Sequence, residues 1–252
     1  MHVWNSIGGW LERRRAIDGR SIGFVPTMGA LHRGHASLVE RCRRENEIAV
    51  VSIFINPAQF NDAKDLEHYP RTLDGDLELL RSLGTDDVLA PSVSDLYPHG
   101  YRFRVESDCM TSLMEGTHRP GFLQGVMTIV LKLLNLARAG RAYFGEKDYQ
   151  QLQTITEMAE DFFIPTEIVA CPTVREPSGL AESSRNVRLS PEARAKAACL
   201  FRVLTTANNP NDAREILEAR GFGVDYVEEH WQRRFVAASL EGVRLIDNVS
   251  LP

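Results

Sequence analysis

The sequence predicts an α/β fold, with a doubly wound parallel sheet and a small C-terminal α+β domain. Short apolar runs rich in branched residues alternate with amphipathic helical patterns through the first two-thirds of the 252-residue chain. This strand–helix–strand alternation is typical of βαβ units, whose parallel sheet is covered by helices on both faces. After residue 177 the pattern changes to helices followed by short strands. We therefore expect a Rossmann-like domain over residues 1–176 and a small C-terminal lid domain over residues 177–252.

The strands of the first domain are predicted where a run is short, apolar and bounded by turn residues. They cover residues 21–26, 48–55, 87–90, 141–144 and 166–174. Between the first two, Leu38, Val39 and Cys42 share one face of a helix. Leucines from Leu73 to Leu83 mark a second helix, which ends at Gly84. Longer helices are expected over residues 125–139 and 149–163.

The C-terminal domain is predicted to combine helices with short strands. Helices are expected over residues 190–207 and 211–220, and strands over residues 224–227, 235–239 and 243–246. A small α+β unit of this kind is typical of a lid or of an oligomerisation domain.

Composition indicates a globular protein without a nucleic-acid or membrane role. The chain is 43% hydrophobic and 25% charged, and its formal net charge of −5 argues against nucleic acid as the main partner. Four widely spaced cysteines without CxxC spacing favour reduced, buried thiols. The most apolar stretch, residues 126–139, is interrupted by charged and amide side chains, so it is not a membrane span. A signal-peptide pattern is not seen, and a cytoplasmic location is expected.

The segment after the first predicted strand carries the first candidate binding site. Pro26-Thr27-Met28-Gly29 forms a turn, and Leu31-His32-Arg33-Gly34-His35 begins the next helix. A strand, a glycine-containing turn and a helix N-terminus together present backbone N–H groups to an anion. His32 and His35 share a helical face and can donate to phosphate oxygens. A metal-binding pair or two surface histidines are the alternatives; the GxGxxG and GxxxxGK[ST] motifs are absent.

Two further segments combine small residues with cations. Gly145, Lys147 and Asp148 follow a predicted strand, at the edge where parallel sheets bind ligands. Ser183-Ser184-Arg185 lies in a loop before the second domain, and its hydroxyls and guanidinium suit a triphosphate. An ordinary charged turn and a helix cap are the respective alternatives.

Amides and carboxylates supply the remaining candidates. Gln59 and Gln151 can both donate and accept hydrogen bonds, which suits a hydroxy-acid substrate, although each could equally be a structural amide. Asp76, with Asp74 nearby, is a candidate Mg²⁺ ligand, because hard cations prefer carboxylate oxygens. A solvated helix face explains Asp74 equally well.

Five segments in the same order carry a resemblance to a known family. The run VPTMGALHRGH at residues 25–35 contains an HIGH-type signature and resembles the pantothenate synthetases (pantoate–β-alanine ligases). The segments SIFINPAQF (52–60), YPRT (69–72), YFGEKDYQQL (143–152) and LAESSRN (180–186) agree with it. The resemblance implies an ATP-dependent ligase that condenses pantoate with β-alanine through a pantoyl adenylate, with Mg²⁺, as a homodimer.

The resemblance also implies residue roles. His32, His35, Lys147 and Arg185 would be catalytic, and Gln59 and Gln151 would hold pantoate. For the adenylation step we expect His35 to donate a proton to the departing pyrophosphate. ATP contacts are implied at Pro26, Thr27, Met28, Gly29, His32, Gly34, His35, Gly145, Lys147, Asp148, Val174, Glu182, Ser183, Ser184 and Arg185. The chain departs from the family pattern at Phe122, Gln124, Cys171 and Glu182.

Three alternatives follow from the same residues. One is a nucleotidylyltransferase with a phosphate acceptor, although paired glutamines suit such an acceptor less well than additional arginines or lysines. Another is a family member that binds nucleotide without catalysis. A fragment of a class I aminoacyl-tRNA synthetase fits less well, because the chain lacks both a basic surface and room for an anticodon domain.

Overall fold

The computed structural model describes residues 1–61 and 63–251 of the chain. The described chain forms two compact units. Residues up to 145 together with 150–171 form the first unit, and residues 146–149 together with the chain from 172 onwards form the second. The predicted domain division at 176/177 stays a prediction, whereas the compact units divide at 171/172 and assign the segment 146–149 to the second unit.

The first unit contains a six-stranded parallel sheet, which confirms the predicted doubly wound α/β class. Its strands are β1 (His2–Trp4), β2 (Ile22–Thr27), β3 (Ile48–Ile53), β4 (Asp87–Leu89), β5 (Arg141–Gly145) and β6 (Glu167–Cys171). They lie in the order β1-β4-β3-β2-β5-β6. From β2 the chain winds through β3 and β4 to one side, and β5 and β6 lie on the other. The winding therefore reverses between β2 and β5.

Helices cover this sheet because its central strands are apolar on both faces. Every residue of β3 is buried, and β2 is buried except at Pro26, as expected of parallel strands packed between helix layers. The helices are α1 (Ile7–Ala16), α2 (Arg33–Glu45), α3 (Ala63–Glu67), α4 (Leu73–Ser82), α5 (Val93–Leu96), α6 (Met114–His118), α7 (Phe122–Ala137) and α8 (Tyr149–Asp161). Short 3₁₀ turns lie at Pro57–Gln59, Met110–Ser112 and Glu146–Asp148.

Helix α2 packs directly on the sheet. Its buried residues are Leu38, Val39 and Cys42, the three that share a face in the sequence, and they pack with Val25 of β2. A Cβ added at Gly23 would lie 2.5 Å from the Cys42 sulfur, so only glycine allows this close approach. Burial raises the pKa of the Cys42 thiol to about 12. Cys42 is thus a packing residue rather than a nucleophile at neutral pH.

The second unit confirms the predicted α+β class. Its strands are β7 (Gly223–His230), β8 (Arg233–Leu240) and β9 (Val243–Ser250), paired antiparallel in that order. The two-residue turns Trp231-Gln232 and Glu241-Gly242 have positive φ at both positions, which matches the twist of tight hairpins. Helices α9 (Pro191–Ala197), α10 (Cys199–Thr206) and α11 (Pro210–Ala219) accompany the sheet, and a 3₁₀ turn lies at Asn186–Arg188.

The single helix predicted over residues 190–207 is wrong. The chain turns at Ala198, between α9 and α10. This turn lets Leu200, Val203 and Leu204 pack in the core of the second unit, together with Val236 of β8.

The N-terminal elements and the full length of the C-terminal strands were not predicted. Strand β1 has three residues, and α1 buries Trp10 but presents a run of arginines, so neither gives a clear apolar period. Strands β7, β8 and β9 have eight residues each. Their predicted apolar centres continue into polar ends, such as Asp247 and Asn248 of β9, which are both buried.

Two further sequence predictions concern membrane helices and the burial of the cysteines. Within the described ranges, no helix is both long enough and apolar enough to cross a membrane. Cys42, Cys171 and Cys199 are buried as expected, but Cys109 is exposed.

Candidate functional site

The turn after β2 leaves the sheet beside the reversal point between β2 and β5, where open α/β sheets bind ligands. The Thr27 hydroxyl donates to the Ser52 carbonyl (2.7 Å) and accepts from the Gly29 N–H (3.2 Å). Gly29 and Ala30 then take left-handed backbone conformations, with φ of 79° and 50°. For Ala30 this conformation is strained, so other contacts must hold it.

Asp76 of α4 supplies those contacts. It is only 4% exposed. Its Oδ2 accepts from the Ala30 N–H (2.9 Å), and its Oδ1 accepts from the Leu31 N–H (2.8 Å) and the Thr72 hydroxyl (3.2 Å). A Cβ on Gly29 would lie 3.0 Å from the same carboxylate. Asp76 therefore clamps the turn that leads to the two histidines.

The structure brings His32 and His35 together at the start of α2, with ring centroids 4.1 Å apart. His32 is the N-cap residue, and its Nδ1 accepts from the Gly34 N–H (3.1 Å). The Nδ1 of His35 accepts from the His32 N–H (3.3 Å). An imidazole nitrogen that accepts an N–H carries no hydrogen, so in the neutral ring the hydrogen lies on Nε2. Both rings are thereby held as Nε2–H donors at a helix N-terminus.

These contacts do not support Asp76 as a magnesium ligand. Both of its carboxylate oxygens already accept backbone N–H groups of the turn. Within residues 1–61 and 63–251, no three His, Cys, Asp or Glu side chains come together as a metal-binding group.

Replacing Asp76 with Asn tests the clamp. The amide can accept at one atom only, so one N–H of the turn would face an NH₂ group, at a cost of about 1–3 kcal/mol of stability. If half of that cost falls on the binding conformation, the KM for ATP, the ligand that the sequence predicts here, should rise about twofold to tenfold. The measurements are urea unfolding and steady-state kinetics at low and high Mg²⁺. Recovery of the variant at high Mg²⁺ would contradict the clamp and restore the metal-ligand hypothesis.

Gln59 lies in the 3₁₀ turn after β3 and is 9% exposed. Its Oε1 accepts from Asn56 Nδ2 (3.0 Å), and its Nε2 points to the Met28 sulfur (2.9 Å). Asn56 is fixed in turn, because its Oδ1 accepts from the Tyr97 hydroxyl (2.8 Å) and its Nδ2 also donates to the Gly125 carbonyl (3.1 Å). Burial raises the pKa of Tyr97, which keeps its hydroxyl a donor. The amide nitrogen of Gln59 is therefore presented toward Met28.

Helix α7 packs against the Gln59 turn at very short range. A Cβ added at Gly125 would overlap the Ala58 carbonyl oxygen, and would lie 2.6 Å from its carbon and 2.9 Å from the Gln59 nitrogen. All three are backbone atoms, which cannot rotate away as a flexible side chain could. Gly125 is therefore required for the position of the turn that carries Gln59.

Residues 115–122 form a wall beside this turn. Arg119 pairs with the buried Glu115 (3.2 Å), donates to the Gln59 carbonyl (3.4 Å) and stacks on the Phe122 ring at 3.6 Å. Phe122, one of the departures from the family pattern, thus packs against an arginine that contacts the Gln59 backbone.

Gln151 lies half-buried in the first turn of α8. Its neighbour Gln150 is the structural amide. Gln150 is 4% exposed, accepts from the Glu115 N–H (2.9 Å) and donates to the carbonyls of Met110 (3.1 Å) and Leu113 (2.9 Å). The two adjacent glutamines therefore differ in their environment, and Gln151 is the one that keeps access to solvent.

The segment after β5 carries Lys147 and Asp148 in the second unit. Lys147 Nζ lies 3.7 Å from Asp148 Oδ1, and both side chains are partly exposed. Gly145, which ends β5, has open space where a Cβ would lie. Lys147 and Asp148 thus form a partly exposed pair of opposite charges in the turn that follows Gly145.

A hairpin leads to the Ser183–Arg185 loop of the same unit. The Glu182 N–H donates to the Val174 carbonyl (3.0 Å), and Arg175 pairs with Ala181. Ser183 Oγ accepts from the Arg185 N–H (3.2 Å). The buried Asn186 amide donates to the Ala181 carbonyl and to Glu176, both at 3.0 Å. The predicted ATP contacts Val174, Glu182, Ser183, Ser184 and Arg185 therefore belong to one hydrogen-bonded segment.

The sequence as a whole matches one family. A profile described as Pantoate-beta-alanine ligase matches residues 2–250, which is nearly the whole chain. The chain belongs to the pantoate–β-alanine ligase family.

Curated relatives and solved structures agree with this membership. The chain is 51% identical to the pantothenate synthetase of Bdellovibrio bacteriovorus over 94% of each protein. It is 46% identical to that of Legionella pneumophila over the full length of both. The crystal structure of the pantoate-beta-alanine ligase of Francisella tularensis, complexed with beta-gamma ATP and beta-alanine, superimposes with a TM-score of 0.95 at 40% identity, covering 99% of this chain and 97% of that one.

Three residues that position the site of this ligase were not predicted from its sequence. Asn56, Tyr97 and Gly125 together fix the Gln59 turn. Asn56 stands within the NPAQ motif, so its spacing to Gln59 was a usable signal. Tyr97 and Gly125 are distant in sequence and gave no such signal.

Proposed function

We propose that this ligase joins pantoate to β-alanine with ATP, through pantoyl adenylate. In the first step a pantoate carboxylate oxygen attacks the α-phosphorus of ATP, the bond to the bridging oxygen breaks, and pyrophosphate leaves. In the second step the β-alanine nitrogen attacks the activated carbonyl carbon. The carbon–oxygen bond to AMP breaks, the amine proton passes to solvent, and pantothenate and AMP are released.

The paired Nε2–H donors of His32 and His35 at the start of α2 are the observation that carries this proposal. Negative charge builds on the phosphate oxygens during adenylation, and fixed donors at a helix N-terminus stabilise it without reorganisation. Because the Nδ1 of His35 accepts an N–H, the ring presents its Nε2–H as the donor. We therefore assign His35 the donation of a hydrogen bond to the departing pyrophosphate, in place of the proton transfer that the sequence suggested.

The orientation of Gln59 suits the carboxylate of pantoate. Its Oε1 is occupied by Asn56, so its Nε2 is the atom available for recognition. The thioether sulfur of Met28 is a weak acceptor, and an anionic oxygen would replace it readily. Gln151 is proposed to contact the hydroxyl groups of pantoate.

The remaining predicted ATP contacts keep their proposed roles. In the first unit these are the turn residues Pro26–Gly29, Gly34 and Gly145. In the second unit, Lys147, Ser183, Ser184 and Arg185 are proposed to bind phosphate oxygens, with Asp148, Val174 and Glu182 beside the nucleoside. ATP is proposed to enter as its magnesium complex. We also propose a homodimer in the cytoplasm.

Product analysis tests the proposal. Incubating the protein with ATP, Mg²⁺, pantoate and β-alanine should give AMP, pyrophosphate and pantothenate in equal amounts, with no ADP. A nucleotide retained covalently on the acceptor would instead indicate a nucleotidylyltransferase. Omitting either acid is the control, because pantothenate formation should then cease.

A further inference from the structure

The segment that carries Lys147 is held by an amide about one hundred residues further along the chain. Asn248 lies in β9 and is 2% exposed. Its Nδ2 donates to the Glu146 carbonyl (2.9 Å) and to the Lys147 carbonyl (3.0 Å). Both contacts lie within the second unit, to which the segment 146–149 belongs. Asn248 thus binds the backbone on either side of the Lys147 Cα.

Arg233 of β8 fixes the orientation of that amide. Its Nε donates to Asn248 Oδ1 (2.7 Å), and its terminal nitrogen lies 3.4 Å from the Glu146 carboxylate. Its guanidinium carbon also lies 4.3 Å above the Tyr149 ring. A guanidinium only donates and a carbonyl only accepts, so the residue between them must do both. Asparagine meets this requirement. Aspartate would place its second carboxylate oxygen, which cannot donate, against the two carbonyl oxygens.

Asp247, the residue before Asn248, makes a similar connection to Ser183–Arg185, the other candidate phosphate-binding segment. Arg175 binds Asp247 through two hydrogen bonds (2.6 and 2.9 Å) and donates to the Asn248 carbonyl (3.3 Å). Arg175 belongs to the hairpin that leads to Ser183–Arg185. Adjacent residues of β9 therefore hold both segments that carry the candidate cations.

We propose that Asn248 is a positioning residue for Lys147, and that it acts through the Glu146–Tyr149 backbone with Arg233 as its support. This inference rests on the proposed function of Lys147 in binding the phosphates of ATP. Three polar contacts within 3.4 Å reach this short segment, and a fourth hydrogen bond joins the two residues that make them, Arg233 and Asn248. Lys147 is the only cation that this segment contains. Loss of the amide donors should therefore displace the ammonium and weaken the binding of ATP.

The test is Asn248→Asp, with the KM for ATP and for pantoate measured by pyrophosphate exchange. We expect the KM for ATP to rise about tenfold and the KM for pantoate to stay within about twofold, with melting used to confirm folding. Asp225→Asn is the matched control. It breaks a 2.7 Å ion pair with Arg244 elsewhere in the same sheet and should change neither constant.

A double-mutant cycle separates positioning from general destabilisation. In a Lys147→Ala background, Asn248→Asp should change the KM for ATP by less than about twofold, because the group it positions is gone. Provided that the wild type catalyses exchange, two results would overturn the inference. One is an unchanged KM for ATP in Asn248→Asp, and the other is an equal effect of Asn248→Asp in the wild-type and Lys147→Ala backgrounds. If Asn248→Asp does not fold, Arg233→Lys takes its place in the same cycle, with the same expected coupling. Absence of pantoate-dependent exchange in the wild type would overturn the proposed function, and with it this inference.

Discussion

Replacing His35 with Ala is expected to lower the rate of adenylation by about 10²–10³-fold, the usual effect of removing one preorganised donor from a developing negative charge. The Nε2–H of His35 is fixed by the hydrogen bond from the His32 N–H to its Nδ1 and by its position on the first turn of α2. The binding of pantoate depends on other residues, so its KM should change little. Single-turnover formation of pyrophosphate from ATP and pantoate measures the rate directly.

His35→Gln and Ser37→Ala are the companion variants. The glutamine amide can place a donor near the original Nε2, so we expect it to recover about tenfold of the lost rate. Ser37 lies on the same helical turn and binds the Gly34 carbonyl (2.8 Å), so its loss reports the effect of disturbing the turn alone. Equal loss in the Gln and Ala variants would contradict a donor role and favour proton transfer.

Replacing Gly125 with Ala should have the second large effect. The added Cβ would meet backbone atoms of Ala58 and Gln59 at distances that no packed structure tolerates. Either α7 or the 3₁₀ turn must move, and overpacking of this kind costs about 1–3 kcal/mol or more of stability. Because the turn carries Gln59, we expect the KM for pantoate to rise about tenfold or more. Urea unfolding and steady-state kinetics measure the two effects.

Gly75→Ala is the control for this substitution. Gly75 also lies within a helix, α4, but a Cβ there meets nothing within 4 Å. Alanine favours helix by about 1 kcal/mol over glycine, so this variant should be as stable as the wild type or more so. A Gly125→Ala protein with normal stability and a normal KM for pantoate would contradict the role assigned to this contact.

Much of the first unit was predictable because the residue patterns that indicate its strands and helices are local in the sequence. Strands β2 and β3 are continuous apolar runs, and Leu38, Val39 and Cys42 fall on one face of α2. The proximity of His32 and His35 follows from helical spacing alone. By contrast, α1 and the polar end of β9 lack an apolar period, so Asn248 was not predicted to lie in a strand.

The residues that hold the candidate site in place were less predictable than the site residues themselves. Asp76 was expected to bind a metal ion, because a carboxylate in a sequence does not reveal which donors will face it. In the structure those donors are the Ala30 and Leu31 N–H groups, about 45 residues away, brought there by the packing of α4. Gly125 and Asn248 act over similar or longer separations. Long-range backbone contacts of this kind have no pattern in a single sequence.

Exchange of labelled pyrophosphate into ATP is the most direct test of the account. The reaction contains Mg²⁺ and the intact protein, with or without pantoate, and contains no β-alanine. The account predicts exchange that requires pantoate, because adenylation of that acid is reversible before the amine is added. Exchange without pantoate, or no exchange by a protein that still binds ATP, would contradict it.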